Sequence, residues 1–162
     1  MLVSMKLNGR QISAEVEPRM SLADFVRSPP NGYTSVHLGC EHGVCGACTL
    51  LIDEQIARSC ITLAISCEGA NVRTVEGLGD DSLIEELKKA FRTHHGVQCG
   101  FCTPAMLITA REIIARGMDV SEEDIRLAMS GNICRCTGYS GIVAAILAVM
   151  DRRTNAPLLQ TA

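Results

Sequence analysis

The sequence has few aromatic residues and no long apolar segment. Its 162 residues include three Phe, two Tyr and no Trp, and the longest uninterrupted apolar run, residues 142–150, is nine residues long. A membrane-spanning helix needs about 20 apolar residues, so we expect no membrane span. The first residues also lack the long apolar core of a signal peptide. We therefore expect a cytoplasmic protein.

The sequence also lacks a surplus of positive charge. The chain has 15 Lys and Arg residues and 18 Asp and Glu residues, which gives a net charge of −3. A nucleic-acid-binding protein needs basic residues to neutralise phosphates, so we expect no nucleic-acid partner. The apolar share of 47% and the charged share of 20% are typical of a folded globular chain rather than a disordered one.

Cysteine, in contrast, is abundant. The nine cysteines are Cys40, Cys45, Cys48, Cys60, Cys67, Cys99, Cys102, Cys134 and Cys136. The number is odd, and a reducing cytosol does not maintain structural disulfides. The cysteines are therefore predicted to be mainly metal ligands, and their spacing indicates the kind of centre.

The first half of the chain has the pattern of short strands. Apolar residues alternate with polar ones on both sides of Asn8-Gly9, which predicts a β-hairpin. Further strands are predicted at 49–52, 55–59 and 72–75, and Ser21 can cap a short helix over 22–27.

The periodicity becomes helical after the segment 77–81. Ser82 with Glu85 and Ser121 with Asp124 have the spacing of helix caps, and Thr103-Pro104 is typical of a cap followed by proline at the first helical position. A last helix over about 140–152 is apolar nearly all round, and we expect it to be the most buried. The pattern predicts an α+β fold in which a mainly β domain precedes a bundle of four helices. The predicted boundaries are 1–76 and 80–153, with a tail over 154–162.

The first cysteine group has the spacing of an iron–sulfur loop. Cys40, Cys45 and Cys48 follow the pattern C-x4-C-x2-C, which is that of plant-type [2Fe–2S] proteins. Zinc sites favour paired C-x2-C motifs, and a Rieske centre would need a C-x2-H that does not follow. Spacing alone leaves both Cys60 and Cys67 open as the fourth ligand.

The second group is a split quartet formed by Cys99, Cys102, Cys134 and Cys136. Each pair precedes a predicted helix, so free amides and helix dipoles would face one anionic centre. The spacing of this quartet is compatible with zinc as well as with an iron–sulfur cluster.

Four stretches together resemble the small iron–sulfur subunit of the molybdenum hydroxylases. They are HLGCEHGVCGACTL (37–50), VEGL (75–78), VQCGFCTPAM (97–106) and GNICRCTGY (131–139). The resemblance covers about residues 3–152. It implies a plant-type ferredoxin-like β-grasp domain followed by a helical domain, each binding one [2Fe–2S] cluster. It further implies that Cys40, Cys45, Cys48 and Cys60 bind the first cluster, and that Cys99, Cys102, Cys134 and Cys136 bind the second.

The resemblance also implies a place in a larger enzyme. Gln98 and Cys136 match residues that contact the molybdenum–pterin cofactor, which would belong to a large partner subunit. FAD would belong to a medium subunit, and the assembly would be a dimer of heterotrimers. Electrons would pass one at a time from molybdenum through both clusters to FAD, and this chain would hold no catalytic residue.

Two positions depart from the usual family pattern, and neither is a ligand. Ala105 stands where glycine is usual, and His37 stands where lysine is common. Two other functions compete with the subunit hypothesis: a free-standing two-cluster ferredoxin and a zinc-stabilised interaction module. A free carrier usually has a strongly charged docking face, which a net charge of −3 does not suggest.

Overall fold

The computed structural model describes residues 1–117 and 120–155. Within these residues the chain forms five strands and five α-helices. The strands are β1 (Leu2–Leu7), β2 (Arg10–Glu15), β3 (Thr49–Ile52), β4 (Gln55–Arg58) and β5 (Asn71–Arg73). The helices are α1 (Leu22–Arg27), α2 (Ser82–Thr93), α3 (Thr103–Ala115), α4 (Glu122–Met129) and α5 (Ser140–Asn155). The order of elements is the α+β arrangement predicted from the sequence.

The first two strands form the predicted hairpin. Met5 of β1 lies opposite Ile12 of β2, and the turn residues Asn8 and Gly9 have φ of 48° and 81°. Asparagine and glycine tolerate this left-handed conformation, which a tight hairpin turn requires. The alternation in β1 buries Val3, Met5 and Leu7 and leaves the residues between them more exposed.

The five strands form one mixed sheet in the order β2-β1-β5-β3-β4. Strands β1 and β5 are parallel, and every other neighbouring pair is antiparallel. Helix α1 begins after Ser21, whose hydroxyl accepts a hydrogen bond from the backbone N–H of Asp24 at 3.0 Å. The apolar face of α1 is buried in the core of the first domain.

Strand β3 connects the cores of the two domains. Successive strand residues point to opposite faces, so Leu50 is buried in the core of the first domain and Leu51 in the core of the helical domain. Helix α3 packs against β3 and also against α2, α4 and α5. It buries seven side chains, including six consecutive ones from Ala105 to Ala110. The prediction that α5 would be the most buried helix was therefore wrong, because α3 is covered by the sheet as well as by helices.

The caps of two helices differ by one residue from the prediction. Asp81, not Ser82, caps α2, and its carboxylate accepts a hydrogen bond from the N–H of Leu83 at 2.9 Å. Cys102, not Thr103, is the N-cap of α3 and makes no side-chain capping bond; Thr103 is the first residue of the helix. The predicted capping box of Ser121 and Asp124 is present at the start of α4.

The last helix ends slightly beyond its predicted end. Helix α5 continues to Asn155, which includes the first two residues of the predicted tail. The rest of that tail, 156–162, lies outside the described residues. Among the residues that the structure describes, no helix is long and apolar enough to cross a membrane.

Candidate iron–sulfur centres

The first cysteine loop lies between α1 and β3 and depends on glycine for its shape. Gly43 and Gly46 have φ of 82° and 74°, a backbone conformation that other residues adopt only with strain. A Cβ atom at Gly46 would lie 2.3 Å from the carbonyl oxygen of Gly131, in the second cysteine loop. The first loop therefore requires glycine at position 46 both for its turn and for its close approach to the helical domain.

A backbone amide in this loop points at a cysteine sulfur. The N–H of Cys45 donates to Sγ of Cys40 at 3.3 Å, and this bond, followed by that from the backbone of His42, lowers the pKa of the Cys40 thiol to about 6. Amides directed at sulfur favour the thiolate, which is the form that binds metal. The backbone of the loop thus stabilises the negatively charged sulfur that a metal centre requires.

The structure separates Cys60 from Cys67. The Cys60 thiol lies with those of Cys48 and Cys40, and burial, followed by the contact with Cys48, raises its pKa to about 11. Cys67 is only 2% exposed in the core of the first domain, where its Sγ donates to the carbonyl oxygen of Leu63 at 3.7 Å. Burial raises the pKa of the Cys67 thiol. The two candidates for fourth ligand therefore lie in different surroundings, and only Cys60 joins the other three thiols.

The second quartet is also assembled. Sγ of Cys136 lies 3.5 Å from Sγ of Cys99, and Cys102 lies beside Cys134. Burial, followed by the contact with Cys134, raises the pKa of the Cys102 thiol to about 12. Burial also acts to raise the pKa of Cys134, but hydrogen bonds from the hydroxyl and N–H of Thr137, at 3.1 and 3.4 Å, bring it below its ordinary value.

The second quartet has one buried side and one exposed side. Cys102 is buried, whereas Cys99 and Cys136 are exposed. Gln98 is exposed next to Cys99, and the apolar side chains of Val97, Phe101 and Ile133 are also exposed nearby in sequence. The residues predicted to contact a pterin are therefore accessible at the surface of this chain.

The two cysteine loops contact each other directly. The N–H of Ile133 donates to the carbonyl oxygen of Cys45 at 2.8 Å. Next to this bond, the buried side chain of Asn132 donates to the carbonyl oxygen of Gly46 at 3.0 Å. The guanidinium of Arg58 reaches the carbonyl oxygen of Gly131 at 2.5 Å. Sequence reasoning missed Asn132 and Arg58, because their partners are 86 and 73 residues away and no local pattern marks them.

The departure at His37 has a structural explanation. Its ring stacks on that of Phe101, with centroids 4.5 Å apart and planes inclined by 14°. Nδ1 of His37 also lies 2.6 Å from the carbonyl oxygen of Phe101. His37 thus ties the start of the first cysteine loop to the Cys99–Cys102 segment.

The donor sets fit [2Fe–2S] clusters in their chemistry. Each quartet supplies four thiols, and each has an N–H directed at a sulfur. Over residues 1–117 and 120–155, no three or more His, Cys, Asp or Glu side chains converge closely enough to hold a single metal ion. A two-iron cluster distributes its four thiolates over two iron atoms rather than one.

Comparison with known families identifies both domains. Residues 5–68 match the model of the "2Fe-2S iron-sulfur cluster binding domain". Residues 74–147 match the model of the "[2Fe-2S] binding domain". The boundary between the two matches agrees with the change from strands to helices along the chain.

Individual relatives match over nearly the whole chain. The gamma subunit of caffeine dehydrogenase from Pseudomonas sp. (strain CBB1) is 46% identical, over 91% of this chain and 90% of the relative. The small subunit of nicotine 6-hydroxylase from Paenarthrobacter nicotinovorans is 46% identical, over 90% and 87%. In a crystal structure of quinoline 2-oxidoreductase from Pseudomonas putida 86, a chain with 48% identity superposes with a TM-score of 0.86, covering 96% of both chains.

These matches define the class of the protein. The chain belongs to the family of small [2Fe–2S] iron–sulfur subunits of molybdenum hydroxylases, as the four sequence stretches predicted. Its role is electron transfer within an oxidoreductase, and its relatives are subunits of larger enzyme complexes. The predictions of two [2Fe–2S] clusters and of a ferredoxin-like domain followed by a helical domain are confirmed.

Proposed function

We propose that two sets of four cysteines bind the clusters and that electrons cross the chain from one set to the other. Cys40, Cys45, Cys48 and Cys60 would bind the cluster of the first domain. Cys99, Cys102, Cys134 and Cys136 would bind the cluster of the helical domain. When bound, each cluster supplies a carrier that takes up and releases one electron at a time.

The observation that carries this proposal is the hydrogen-bonded contact between the two loops that carry the thiol quartets. The hydrogen bond from Ile133 to Cys45 connects the residue before one ligand with a ligand of the other set, at 2.8 Å. The burial of Asn132 and Cys102 keeps water out of this region. The direct contact between the two loops supports transfer between two thiol sites within one chain, as a carrier between two partner cofactors needs.

The exposure of the second quartet supports the proposed direction of transfer. Cys99, Cys136 and Gln98 are exposed on the helical domain, and we propose that Gln98 and Cys136 contact the molybdenum–pterin cofactor of a large partner subunit. The Gln98 side chain offers both amide donors and a carbonyl acceptor, which suit a pterin edge. The first domain would then deliver electrons to FAD on a medium subunit.

We propose a dimer of such heterotrimers, located in the cytoplasm, as the complete enzyme. The free thiols support this location, because nine unpaired cysteines are compatible with a reducing compartment. The relatives named above are called caffeine, nicotine and quinoline enzymes, and all three compounds are nitrogen heterocycles. We accordingly propose a nitrogen heterocycle as the substrate of the complex, with its pocket on a partner subunit.

The first test is the metal content of protein purified anaerobically from its own host. We expect about four irons and four acid-labile sulfides per chain, as two [2Fe–2S] clusters require, together with molybdenum and flavin in the same gel-filtration peak. Zinc in place of iron would overturn the electron-transfer function. Four irons in a monomer free of molybdenum and flavin would instead identify a free-standing ferredoxin. Hydroxylation of aldehydes with no turnover of nitrogen heterocycles would contradict the proposed substrate class.

A further inference from the structure

We propose that Asn132 is the positioning residue that fixes the separation of the two cluster-binding loops. The proposal rests on the proposed function, because it concerns the distance between the two proposed thiol sites. Asn132 touches no cysteine sulfur in the described contacts. It would act through the loops that carry the ligands.

The side chain of Asn132 connects three separate parts of the chain. Nδ2 donates to the carbonyl oxygen of Gly46 in the first cysteine loop, at 3.0 Å, and lies 3.3 Å from Oγ1 of Thr49 at the start of β3. Oδ1 accepts a hydrogen bond from the hydroxyl of Thr109 in α3, at 2.9 Å. Both amide hydrogens and the carbonyl oxygen therefore have partners, so the orientation of the side chain is determined on every side.

Burial makes these hydrogen bonds persistent. Asn132 is 1% exposed, Thr49 is 2% exposed and Thr109 is 6% exposed, so water does not compete for their polar atoms. A buried amide that loses its hydrogen-bond partner incurs the full desolvation penalty of the unpaired group. The connection between the loops therefore does not open readily, and a fully satisfied buried network of this kind restricts the chain to one arrangement.

The position of Asn132 in the sequence gives this restriction a functional consequence. Asn132 precedes Cys134 by two residues, and Gly46 directly follows Cys45. One side-chain amide thus links a segment next to a proposed ligand of each cluster. The rate of electron tunnelling falls steeply with distance and depends on the bonds between donor and acceptor. A change at Asn132 would therefore alter the rate between the clusters without removing any ligand.

A second contact supports the same loops from the other side. Arg58 in β4 donates to the carbonyl oxygen of Gly131 at 2.5 Å and to the hydroxyl of Thr49. The hydroxyl of Thr49 in turn donates to the carbonyl oxygen of Gly46 at 2.5 Å. Asn132 lies at the centre of this network, because its side chain alone, among the hydrogen bonds of the described residues, joins the first loop, β3 and α3.

The test is the substitution Asn132→Leu in the complete complex, with Asn31→Leu as the matched control. Asn31 also donates its amide to a backbone carbonyl, that of Phe25 at 2.8 Å, but it lies in the first domain next to α1. The readouts are iron per chain, the magnetic interaction between the two reduced clusters in electron paramagnetic resonance spectra, and the rate of electron transfer between them after rapid reduction.

We expect Asn132→Leu to retain the wild-type iron content but to show a weaker magnetic interaction. Electron transfer between the clusters should slow by about tenfold. This is the lower end of the roughly 10–100-fold loss of metal affinity or activity that follows when residues orienting metal ligands are replaced. Asn31→Leu should leave both quantities unchanged. An unchanged interaction and rate in Asn132→Leu would overturn the proposal. Loss of two irons would overturn it as well, because Asn132 would then be required to assemble a cluster rather than to position one.

A second variant keeps the test valid where Asn132→Leu does not fold. Asn132→Asp has nearly the same shape and still accepts a hydrogen bond from Thr109, but it places an oxygen against the carbonyl of Gly46. The magnetic interaction should weaken in this variant too, and no change would contradict the proposal. A failure of the proposed function would be distinguishable, because wild-type protein would then lack four irons or two separate cluster signals.

Discussion

The backbone N–H of Ile133 donates a hydrogen bond to the carbonyl oxygen of Cys45 at 2.8 Å. This bond joins two loops that are far apart in the sequence and that carry ligands of different proposed clusters. Such an approach requires that no side chain stand between the loops. The glycine that follows Cys45 meets this requirement.

We expect Gly46→Ala to separate the loops and destabilise the chain strongly. Its Cβ atom would lie 2.3 Å from the carbonyl oxygen of Gly131, and residue 46 has a φ of 74°. The backbone strain and the clash together should lower the free energy of unfolding by about 4 kcal/mol or more. Thermal and urea unfolding of the purified chain would measure this change.

Gly69→Ala is the matched control for this substitution. Gly69 has a similar φ of 73°, but a Cβ atom there would have no neighbour within 4 Å. Only the backbone strain applies, so the free energy of unfolding should fall by about 1–2 kcal/mol. Equal effects at the two positions would show that the contact between the loops is not the cause.

A second prediction distinguishes the two cysteines that spacing alone left open. Cys60→Ala should reduce the iron content from about four to about two per chain, because the first cluster would lose a ligand. Cys67→Ala should retain all the iron and lose only about 1 kcal/mol of stability, as expected for a small buried side chain. Iron analysis and the electron paramagnetic resonance signal of the first cluster are the measurements. Loss of iron in Cys67→Ala alone would reverse the assignment.

Cys60 and Cys67 also show how much of the structure can be predicted from the sequence alone. The hairpin at Asn8-Gly9 was predictable because its turn depends on two adjacent residues. The C-x4-C-x2-C run and the pairs Cys99–Cys102 and Cys134–Cys136 were recognisable because the spacing within each of them is local. The choice between Cys60 and Cys67 was not, since it depends on which thiol the folded first domain brings to Cys48.

The contacts between the domains were the least predictable part. Asn132 and Gly46 are 86 residues apart, and no local pattern pairs them. The greater burial of α3 relative to α5 has the same origin, because it depends on the side of the helix that β3 covers. The cap of α2 differed from the prediction for a local reason. Aspartate and serine are both favoured at an N-cap, and only the structure shows that Asp81 rather than Ser82 occupies this position.

Asp81 gives a prediction about pH. Burial acts to raise the pKa of its carboxyl group, but the ion pair with Arg111, at 2.8 Å, and the hydrogen bond from the N–H of Leu83 lower it below the ordinary value of 3.8. A lowered pKa in the folded state means that the carboxylate stabilises the fold above its unfolded pKa. This contribution is lost as the pH falls through the folded pKa.

Asp81→Ala should therefore cost about 1–3 kcal/mol at pH 7, from the lost cap and the lost ion pair with Arg111, which keeps Glu112 as a partner. The difference from wild type should stay constant down to about pH 5 and shrink below about pH 4. Asp81→Asn keeps a good capping residue and should cost less. Urea unfolding at a series of pH values gives the measurement, and a difference that grows towards acid pH would contradict the role of the charge.

Tyr139 gives a prediction that concerns the second cluster alone. Its hydroxyl accepts a hydrogen bond from the N–H of Cys134 at 2.8 Å and donates one to the carbonyl oxygen of Asn132 at 3.0 Å. Tyr139→Phe would leave both half-buried backbone groups without this partner, at a cost of about 1–3 kcal/mol. The loop that carries Cys134 should loosen, so the second cluster should lose iron to a chelator faster than in the wild type.

The first cluster should keep its wild-type resistance to the chelator in this variant, because Tyr139 contacts only the second loop in these hydrogen bonds. Tyr33→Phe is the matched control: Tyr33 packs against the core of the first domain, and the described contacts give its hydroxyl no hydrogen bond. The two clusters can be followed separately by their electron paramagnetic resonance signals during the chelator challenge. Equal loss from both clusters in Tyr139→Phe would mean that the substitution destabilises the whole chain rather than the loop of Cys134.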